Sequence, residues 1–208
     1  HTDWTKPVCH NPDGQLTSCL DAVLDYAVNV ESDETVFHHA FLQAIIEHPD
    51  FVAWLNRPVC RADNGEMTNC VQKVLDLDNH YTDVKRVLTN EKYNKGWVDL
   101  GQYRYRTDDG TVISGLDKII QDADDTLIGD MMTNTYIDLT APVCTSGGNV
   151  GSCIDKLLQF VEANESPISL TPLVQGDRYN LARISCQSGD AVTSCLDKIL
   201  DMMQGQPY

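Results

Sequence analysis

The sequence predicts an α+β fold, built as an elongated tandem array of five strand–loop–short helix repeats, four of them clamped by a local disulfide. Three observations support this prediction. A short segment recurs five times in the 208 residues, four copies carry a pair of cysteines, and every copy ends in a narrow apolar stripe with helical spacing. Recurrence at periods of about 20–50 residues is typical of repeat architectures.

The recurring segment is clearest at Cys144–Val161, where a cysteine, a glycine-containing loop, a second cysteine and an apolar stripe follow one another. Its copies open 51, 46, 38 and 42 residues apart, at Cys9, Cys60, Arg106, Cys144 and Cys186. Only 42% of the residues are hydrophobic, and they lie in short separate groups. This distribution favours a serial array over a single globular core.

The strand of each repeat is predicted just before its first cysteine. A Pro-Val-Cys entry, in which proline suits an extended edge segment, occurs at residues 7–9, 58–60 and 142–144. The segments interpreted as strands are Trp97–Arg106, Asn134–Leu139 and Tyr179–Ile184. Turn-forming residues, such as Asn-Gly and Asp-Gly, then fill the loop.

A cysteine pair is predicted to clamp that loop in four repeats. The pairs are nine or ten residues apart: Cys9 with Cys19, Cys60 with Cys70, Cys144 with Cys153, and Cys186 with Cys195. In the third copy Arg106 and Gly115 stand at both places, as expected if the two cysteines serve each other. Zinc ligands usually stand about two to four residues apart, and no histidine recurs here, so local disulfides are favoured. Each would stabilise the fold by about 2–3 kcal/mol.

A short helix closes each repeat. Its predicted caps, in capping-box spacing, are Ser18 and Asp21, Asn69 and Gln72, Ser114 and Asp117, Ser152 and Asp155, and Ser194 and Asp197. Helices this short are marginal in water, so the apolar stripe must be covered by the next repeat or by another chain. The stripe residues, predicted to form an oligomer seam, are Leu20, Val23, Leu24, Val71, Val74, Leu75, Leu116, Ile119, Ile120, Ile154, Leu157, Leu158, Leu196, Ile199 and Leu200.

These elements divide the chain into six segments. They are repeat 1 (1–30), a helical insert (31–56), repeat 2 with a following helix (57–96), repeat 3 (97–133), repeat 4 with a linker (134–177) and repeat 5 (178–208). The insert is predicted to be helical over Glu34–His48, and the helix after repeat 2 to span Tyr81–Tyr93. Leu127–Met132 and Ser166–Asp177 are interpreted as linkers.

The composition restricts the possible partners. A net charge of −16 and scattered basic residues argue against nucleic acid and anionic membranes as partners. No apolar run reaches the roughly 18 residues needed to span a bilayer. No signal peptide is visible before His1, so a mature or trimmed product is expected. Paired cysteines indicate an oxidising environment, on a virion or outside the cell.

No catalytic motif, cofactor site or metal site is predicted, so the chain is not expected to be an enzyme. His38, His39 and His48 are better explained as a solvated helix face than as metal ligands, and the loops lack the ligand pattern of an EF-hand. An N-terminal histidine such as His1 can bind copper, as in lytic polysaccharide monooxygenases. Their sandwich fold does not match this array of repeats.

The cysteine pair followed by Ile-Asp-Lys-Leu-Leu at Cys144–Leu158, and its twin at Cys186–Leu200, resembles repeat regions of tailed-bacteriophage virion appendages. The resemblance covers the repeats, about half of the chain. It implies a homotrimeric fibre or decoration protein that attaches to other virion or surface proteins. The predicted function is therefore a structural protein of a virion appendage or extracellular fibre. The alternative is a secreted repeat protein that binds a glycan or a protein.

Overall fold

The computed structural model describes residues 3–29, 45, 48–62, 64–76, 88, 99–135, 137–146, 148–164, 167–175 and 177–205. The chain divides into two compact parts, His1–Val98 and Asp99–Tyr208. Both mix helices with small antiparallel sheets. Of the predicted helices, Glu34–His48 lies almost wholly outside the described residues, as does Tyr81–Tyr93.

The building block is a two-stranded antiparallel hairpin followed at once by an α-helix, which we call a module. The N-terminal part holds module 1, with β1 (Cys9–His10), β2 (Leu16–Thr17) and α1 (Cys19–Asn29). After the short helix α2 (Phe51–Leu55) comes module 2, with β3 (Cys60–Arg61), β4 (Met67–Thr68) and α3 (Val71–Asp76).

The C-terminal part holds modules 3 to 5. Module 3 comprises β5 (Arg104–Arg106), β6 (Val112–Ser114) and α4 (Gly115–Gln121), and α5 (Asp125–Thr133) follows it. Module 4 comprises β7 (Cys144–Ser146), β8 (Asn149–Gly151) and α6 (Cys153–Ala163), followed by α7 (Thr171–Gln175). Module 5 comprises β9 (Ser185–Ser188), β10 (Ala191–Ser194) and α8 (Cys195–Gly205).

The predicted disulfides are confirmed. They join Cys9 to Cys19, Cys60 to Cys70, Cys144 to Cys153, and Cys186 to Cys195, with Cα–Cα distances of 4.8 to 5.1 Å. Each bond ties the first strand of a hairpin to the start of the following helix. The four disulfides indicate an oxidising setting for the chain.

The hairpin lies inside the disulfide loop, and this corrects the predicted strand–loop–helix order. In each clamped module the first cysteine is paired with the residue two places before the second cysteine, for example Cys9 with Thr17 and Cys144 with Gly151. A glycine at each tip has φ between +58° and +85°, which glycine adopts at little steric cost. The turn signals therefore marked hairpin tips instead of irregular loops.

The same register corrects the alignment of module 3. Tyr105 pairs with Ile113, which lies two places before Gly115. In the other modules the first cysteine pairs with the residue two places before the second cysteine. Tyr105, and not Arg106, therefore stands where the other modules have their first cysteine. Tyr105 is buried and Arg106 exposed, as expected for that position.

The entry to each hairpin is a turn where a strand was predicted. In the three Pro-Val-Cys entries the valine N–H donates to the carbonyl two residues earlier, at 2.8 to 2.9 Å, as in Val59 to Arg57. This is the hydrogen bond of a γ-turn, and the fixed φ of proline suits its centre. The described part of Asn134–Leu139 contains no strand, and Tyr179–Ile184 contains a 3₁₀ helix at Leu181–Arg183.

Both predicted linkers contain a helix. Asp124 caps α5 by accepting a 2.7 Å hydrogen bond from the Leu127 N–H. The apolar residues of α5 are buried, namely Leu127, Ile128, Met131 and Met132. The helix α7 likewise buries Leu173. These segments are part of the core of the C-terminal part because their apolar side chains pack inside it.

The apolar stripes are buried within the single chain, which corrects the predicted oligomer seam. Val23 and Leu196 are partly exposed and Leu200 is exposed. The remaining predicted seam residues are buried: Leu20, Leu24, Val71, Val74, Leu75, Leu116, Ile119, Ile120, Ile154, Leu157, Leu158 and Ile199. A side chain already covered by its own chain has no surface left for packing on an axis between chains.

Candidate interaction site between consecutive modules

The helix of each module begins at a polar N-cap residue. The hydroxyls of Ser18, Ser114, Ser152 and Ser194 accept hydrogen bonds from the N–H three residues later, at 2.9 to 3.2 Å. In module 2 the side chain of Asn69 accepts instead from the N–H of Val71, at 3.1 Å. The N-cap half of each predicted capping box is therefore present.

The aspartate three residues after the N-cap contacts the next module. Its carboxylate in modules 1, 3 and 4 accepts a hydrogen bond from the first strand of the next module. The bonds run from Arg61 N–H to Asp21 (3.1 Å), from Thr145 N–H to Asp117 (2.9 Å) and from Gln187 N–H to Asp155 (2.8 Å). The capping box thus explains the position of these aspartates but not the direction of their carboxylates.

A lysine from the next module completes the contact. Lys73 Nζ lies 2.5 Å from Asp21, Lys198 Nζ lies 3.6 Å from Asp155, and Lys156 pairs with Asp117. Each lysine stands four residues after the N-cap of its own helix. The same carboxylate therefore receives a strand N–H and a helix ammonium from one neighbouring module.

These contacts are buried, which decides their energetic importance. Asp21 and Asp117 are 0% exposed and Asp155 is 5% exposed. The three lysine side chains are 13%, 14% and 3% exposed. Removing one partner of a buried ion pair leaves an uncompensated charge and costs about 3–5 kcal/mol. Each aspartate also lies in the first turn of its helix, where the helix dipole favours a negative charge.

The junction between modules 1 and 2 contains a second carboxylate. Asp25 also pairs with Lys73, and its side chain is 18% exposed. Burial raises the pKa of Asp25, and the hydrogen bond from Lys73 opposes this change. Modules 3 and 4 place glutamines at the same position, and the Gln121 and Gln159 amides donate to Asp117 and Asp155 at 3.4 and 3.3 Å.

The junction between modules 4 and 5 holds the most deeply buried lysine. Besides Asp155, Lys198 Nζ donates to the carbonyl of Gln187 at 2.6 Å and lies 3.7 Å from Glu162. Gln187 therefore contributes its N–H to Asp155 and its carbonyl to Lys198. The lysine joins its own hairpin to the preceding helix.

Three modules depart from the pattern. Module 2 has Gln72 in place of the aspartate, and its amide is 3.4 Å from the Asp76 carboxylate. Module 1 has Ala22 in place of the lysine. In module 3 the lysine is present as Lys118, and it lies 2.9 Å from Asp122, the C-cap of its own helix, and 5.1 Å from the Tyr105 ring centre.

Sequence reasoning missed the lysines and the direction of the carboxylates. The signal was present, because Lys73, Lys118, Lys156 and Lys198 recur at one position of the repeat.

A second missed position lies five residues before each loop opening. Its carbonyl accepts a helix N–H in modules 1, 3 and 4, from Leu20 to Trp4 (2.9 Å), Leu116 to Leu100 (2.9 Å) and Ile154 to Leu139 (2.9 Å).

Of the histidines considered as metal ligands, the structure describes only His48. His48 stacks on Trp54 with ring centres 4.3 Å apart, and its Nδ1 accepts from the Asp50 N–H. His1, His38 and His39 lie outside the described residues. Within the described ranges, no group of three or more His, Cys, Asp or Glu side chains is placed to hold a metal ion. No helix there is long and apolar enough to cross a membrane.

Comparison with known proteins adds no relative. No protein-family model, no curated protein and no solved structure matches this chain.

Proposed function

We propose that this chain is a non-enzymatic extracellular structural protein, built as a tandem array of stacked and disulfide-clamped modules. The observation that supports this most is the aspartate contact, which recurs at three junctions with the same two donors. Contacts between neighbouring modules are what stabilise repeat proteins. The buried carboxylates and lysines at these junctions are engaged in holding modules together.

Amide hydrogen exchange tests this proposal directly. Asp117→Ala should speed exchange of the Thr145 amide, and Asp155→Ala that of the Gln187 amide, each by about tenfold or more. The exposed hairpin-tip residue Asp190 offers a charge-matched control, and Asp190→Ala should leave both amides protected. Equal exchange in all four proteins would contradict a structural role for the junction aspartates.

The burial of the stripe residues bears on the oligomeric state. Because most stripe residues are covered within one chain, we propose a monomer in which neighbouring modules cover the stripes. Light scattering should then give a mass near 23.2 kDa. A mass three times larger would restore the trimer that the phage resemblance implies.

A virion appendage is the setting that the resemblance at Cys144–Leu158 suggests. The acidic charge and the four disulfides are compatible with exposure outside a reducing cytosol. Electron microscopy of the purified protein tests the elongated form expected of an appendage. Rods would support it, and round particles would contradict it.

A second candidate function is binding of a protein ligand, which a set of exposed aliphatic residues supports, called the aliphatic set. Every module exposes one aliphatic residue at the same position of its second strand. The exposed fractions are 55% for Leu16, 50% for Met67, 52% for Val112, 72% for Val150 and 74% for Val192. Aliphatic side chains suit a protein partner better than a glycan, since sugars pack on aromatic faces.

Selection from a random-peptide library tests this second function. Peptides selected on the intact protein should lose binding to a variant with Val112→Thr, Val150→Thr and Val192→Thr. Threonine keeps the β-branched shape that suits strands, so the hairpins should persist. Val174→Thr, which changes an exposed valine outside the aliphatic set, is the control. Peptides that bind all three proteins equally would contradict a role for the aliphatic set.

A further inference from the structure

Module 5 exposes the surface that module 4 buries. The helices α6 and α8 carry the same pattern, and corresponding residues differ sharply in exposure. Leu158 is 0% exposed and Leu200 is 42% exposed, whereas Val161 is 4% exposed and Met203 is 51% exposed. The junction aspartate follows the same trend, because Asp155 is buried and Asp197 is exposed.

The way in which module 5 contacts module 4 shows what kind of surface would fit the exposed face of module 5. Module 5 gives Asp155 a strand N–H and an ammonium, while α8 and β9 pack against α6. In the described part of the chain, the hydrogen bonds to the Asp197 carboxylate come from its own module. They are donated by Ser194 at 2.7 Å and Thr193 at 3.5 Å.

We propose that this face of module 5 is a docking surface for a further hairpin–helix module with a lysine four residues after its N-cap. The proposal rests on the stacked-module function proposed above. The incoming first strand would donate an N–H to Asp197, and the incoming lysine would pair with the same carboxylate. Its apolar helix face would cover Leu200 and Met203, whose counterparts Leu158 and Val161 are buried in module 4.

A second copy of this chain fits the face less well. Two copies of the face placed against each other would bring Asp197 and Asp201 near their own counterparts, and like charges at an interface disfavour association. Module 1 of a second copy has Ala22 where the lysine is needed. The lysines of its other modules are already paired, at the junctions or, for Lys118, with Asp122. The complementary partner is therefore a module that carries the lysine.

An extended chain tests the proposal. Residues 1–205 are followed directly by a second copy of residues 164–205, which supplies a sixth module with its native connection and its own Lys198. The readout is exchange of the Gln187 amide in the added copy. We expect Asp197→Ala in the original module 5 to speed this exchange by about tenfold or more, because the acceptor is lost. Asp190→Ala, at an exposed hairpin tip of the original module 5, should leave it unchanged.

The original Gln187 amide, held by Asp155, is an internal reference in every variant. If it is protected while the added Gln187 exchanges freely, the docking surface is refuted and the proposed stacking stands. If both exchange freely, the stacking fails and the docking surface fails with it. Sedimentation of the unextended chain completes the test. Self-association that Leu200→Ser abolishes would identify a second copy as the occupant and overturn the proposal.

Discussion

Modules 3 and 4 reach the same local structure, although only module 4 contains a disulfide. Both hairpins have a positive-φ glycine at the tip, Gly110 and Gly148, and a serine N-cap. Both present a buried aspartate to the next module. The disulfide is therefore not needed to specify the hairpin–helix form. Its contribution lies mainly in restricting the unfolded chain.

Tyrosines occupy the space of the absent disulfide in module 3. Tyr105 is 4% exposed at the position of the first cysteine. At the second position, a Cβ on Gly115 would lie 3.1 Å from Tyr103 Cδ1, so the Tyr103 ring stands where a larger residue would point. Packing of aromatic rings replaces a covalent bond at this site.

The largest effect should come from the contact between modules 3 and 4, which joins Asp117 to Thr145 and Lys156. Asp117→Ala removes the acceptor of Thr145 N–H and the partner of Lys156, and leaves a buried ammonium unpaired. We expect a loss of about 3–5 kcal/mol in the free energy of unfolding, measured by denaturant titration. Asp197→Ala, which changes the exposed equivalent, should change it by less than about 0.5 kcal/mol. Equal losses in the two variants would show that burial is not the cause.

The disulfide itself should matter less than the aspartate. Replacing both Cys144 and Cys153 with serine should lower the free energy of unfolding by about 2–3 kcal/mol, since the loop they close is short. The module 4 hairpin should still form, as it does in module 3. Cross-peaks between the Thr145 and Val150 strands in NMR spectra would verify this. Loss of the hairpin in the variant would break the comparison.

The N-caps should contribute alike in the two modules. Ser114→Ala and Ser152→Ala each remove one hydroxyl acceptor at a helix start, and each should lower the free energy of unfolding by about 1 kcal/mol. Threonine at the same positions keeps a hydroxyl and should recover most of the loss. A much larger effect in module 3 would indicate that the disulfide of module 4 takes over part of the role of the cap.

The smallest effect concerns Asp25, where modules 3 and 4 have glutamine. Burial raises its pKa above the ordinary value of 3.8, so the folded protein binds this proton more tightly than the unfolded chain. The contribution of Asp25 to stability therefore falls as the pH rises through its folded pKa. Asp25→Gln should raise the free energy of unfolding at pH 7 by no more than about 0.5 kcal/mol. A gain that is larger in acid than at pH 7 would contradict this sign.

Local features of the sequence were sufficient to predict the disulfides, the N-caps and the helical stripes. Each depends on residues about ten positions apart or fewer, as Cys144 and Cys153 are. The hairpins were missed because their turn residues were interpreted as loops, although Asn64-Gly65 is a strong hairpin signal. The helix α5 was missed although Asp124 and the spacing of Leu127, Ile128 and Met131 could have indicated it.

The junction contacts could not be found from one repeat alone. Asp117 and Lys156 lie 39 residues apart, and capping already gave the aspartate a sufficient explanation. The direction of a buried carboxylate depends on which neighbour brings a donor, and this is a property of packing between modules. The same reason made the stripes ambiguous, because a narrow apolar face fits a neighbouring module or another chain equally well.

The bond from each junction aspartate to a backbone N–H also bears on solubility. A two-stranded sheet leaves the outer side of its first strand unpaired, and such edges can recruit strands from other molecules. In modules 2, 4 and 5 a carboxylate already occupies one N–H on that side, at Arg61, Thr145 and Gln187. A charged group seated there obstructs the approach of a foreign strand. The chain can thus carry many short hairpins while discouraging amyloid-like pairing between molecules.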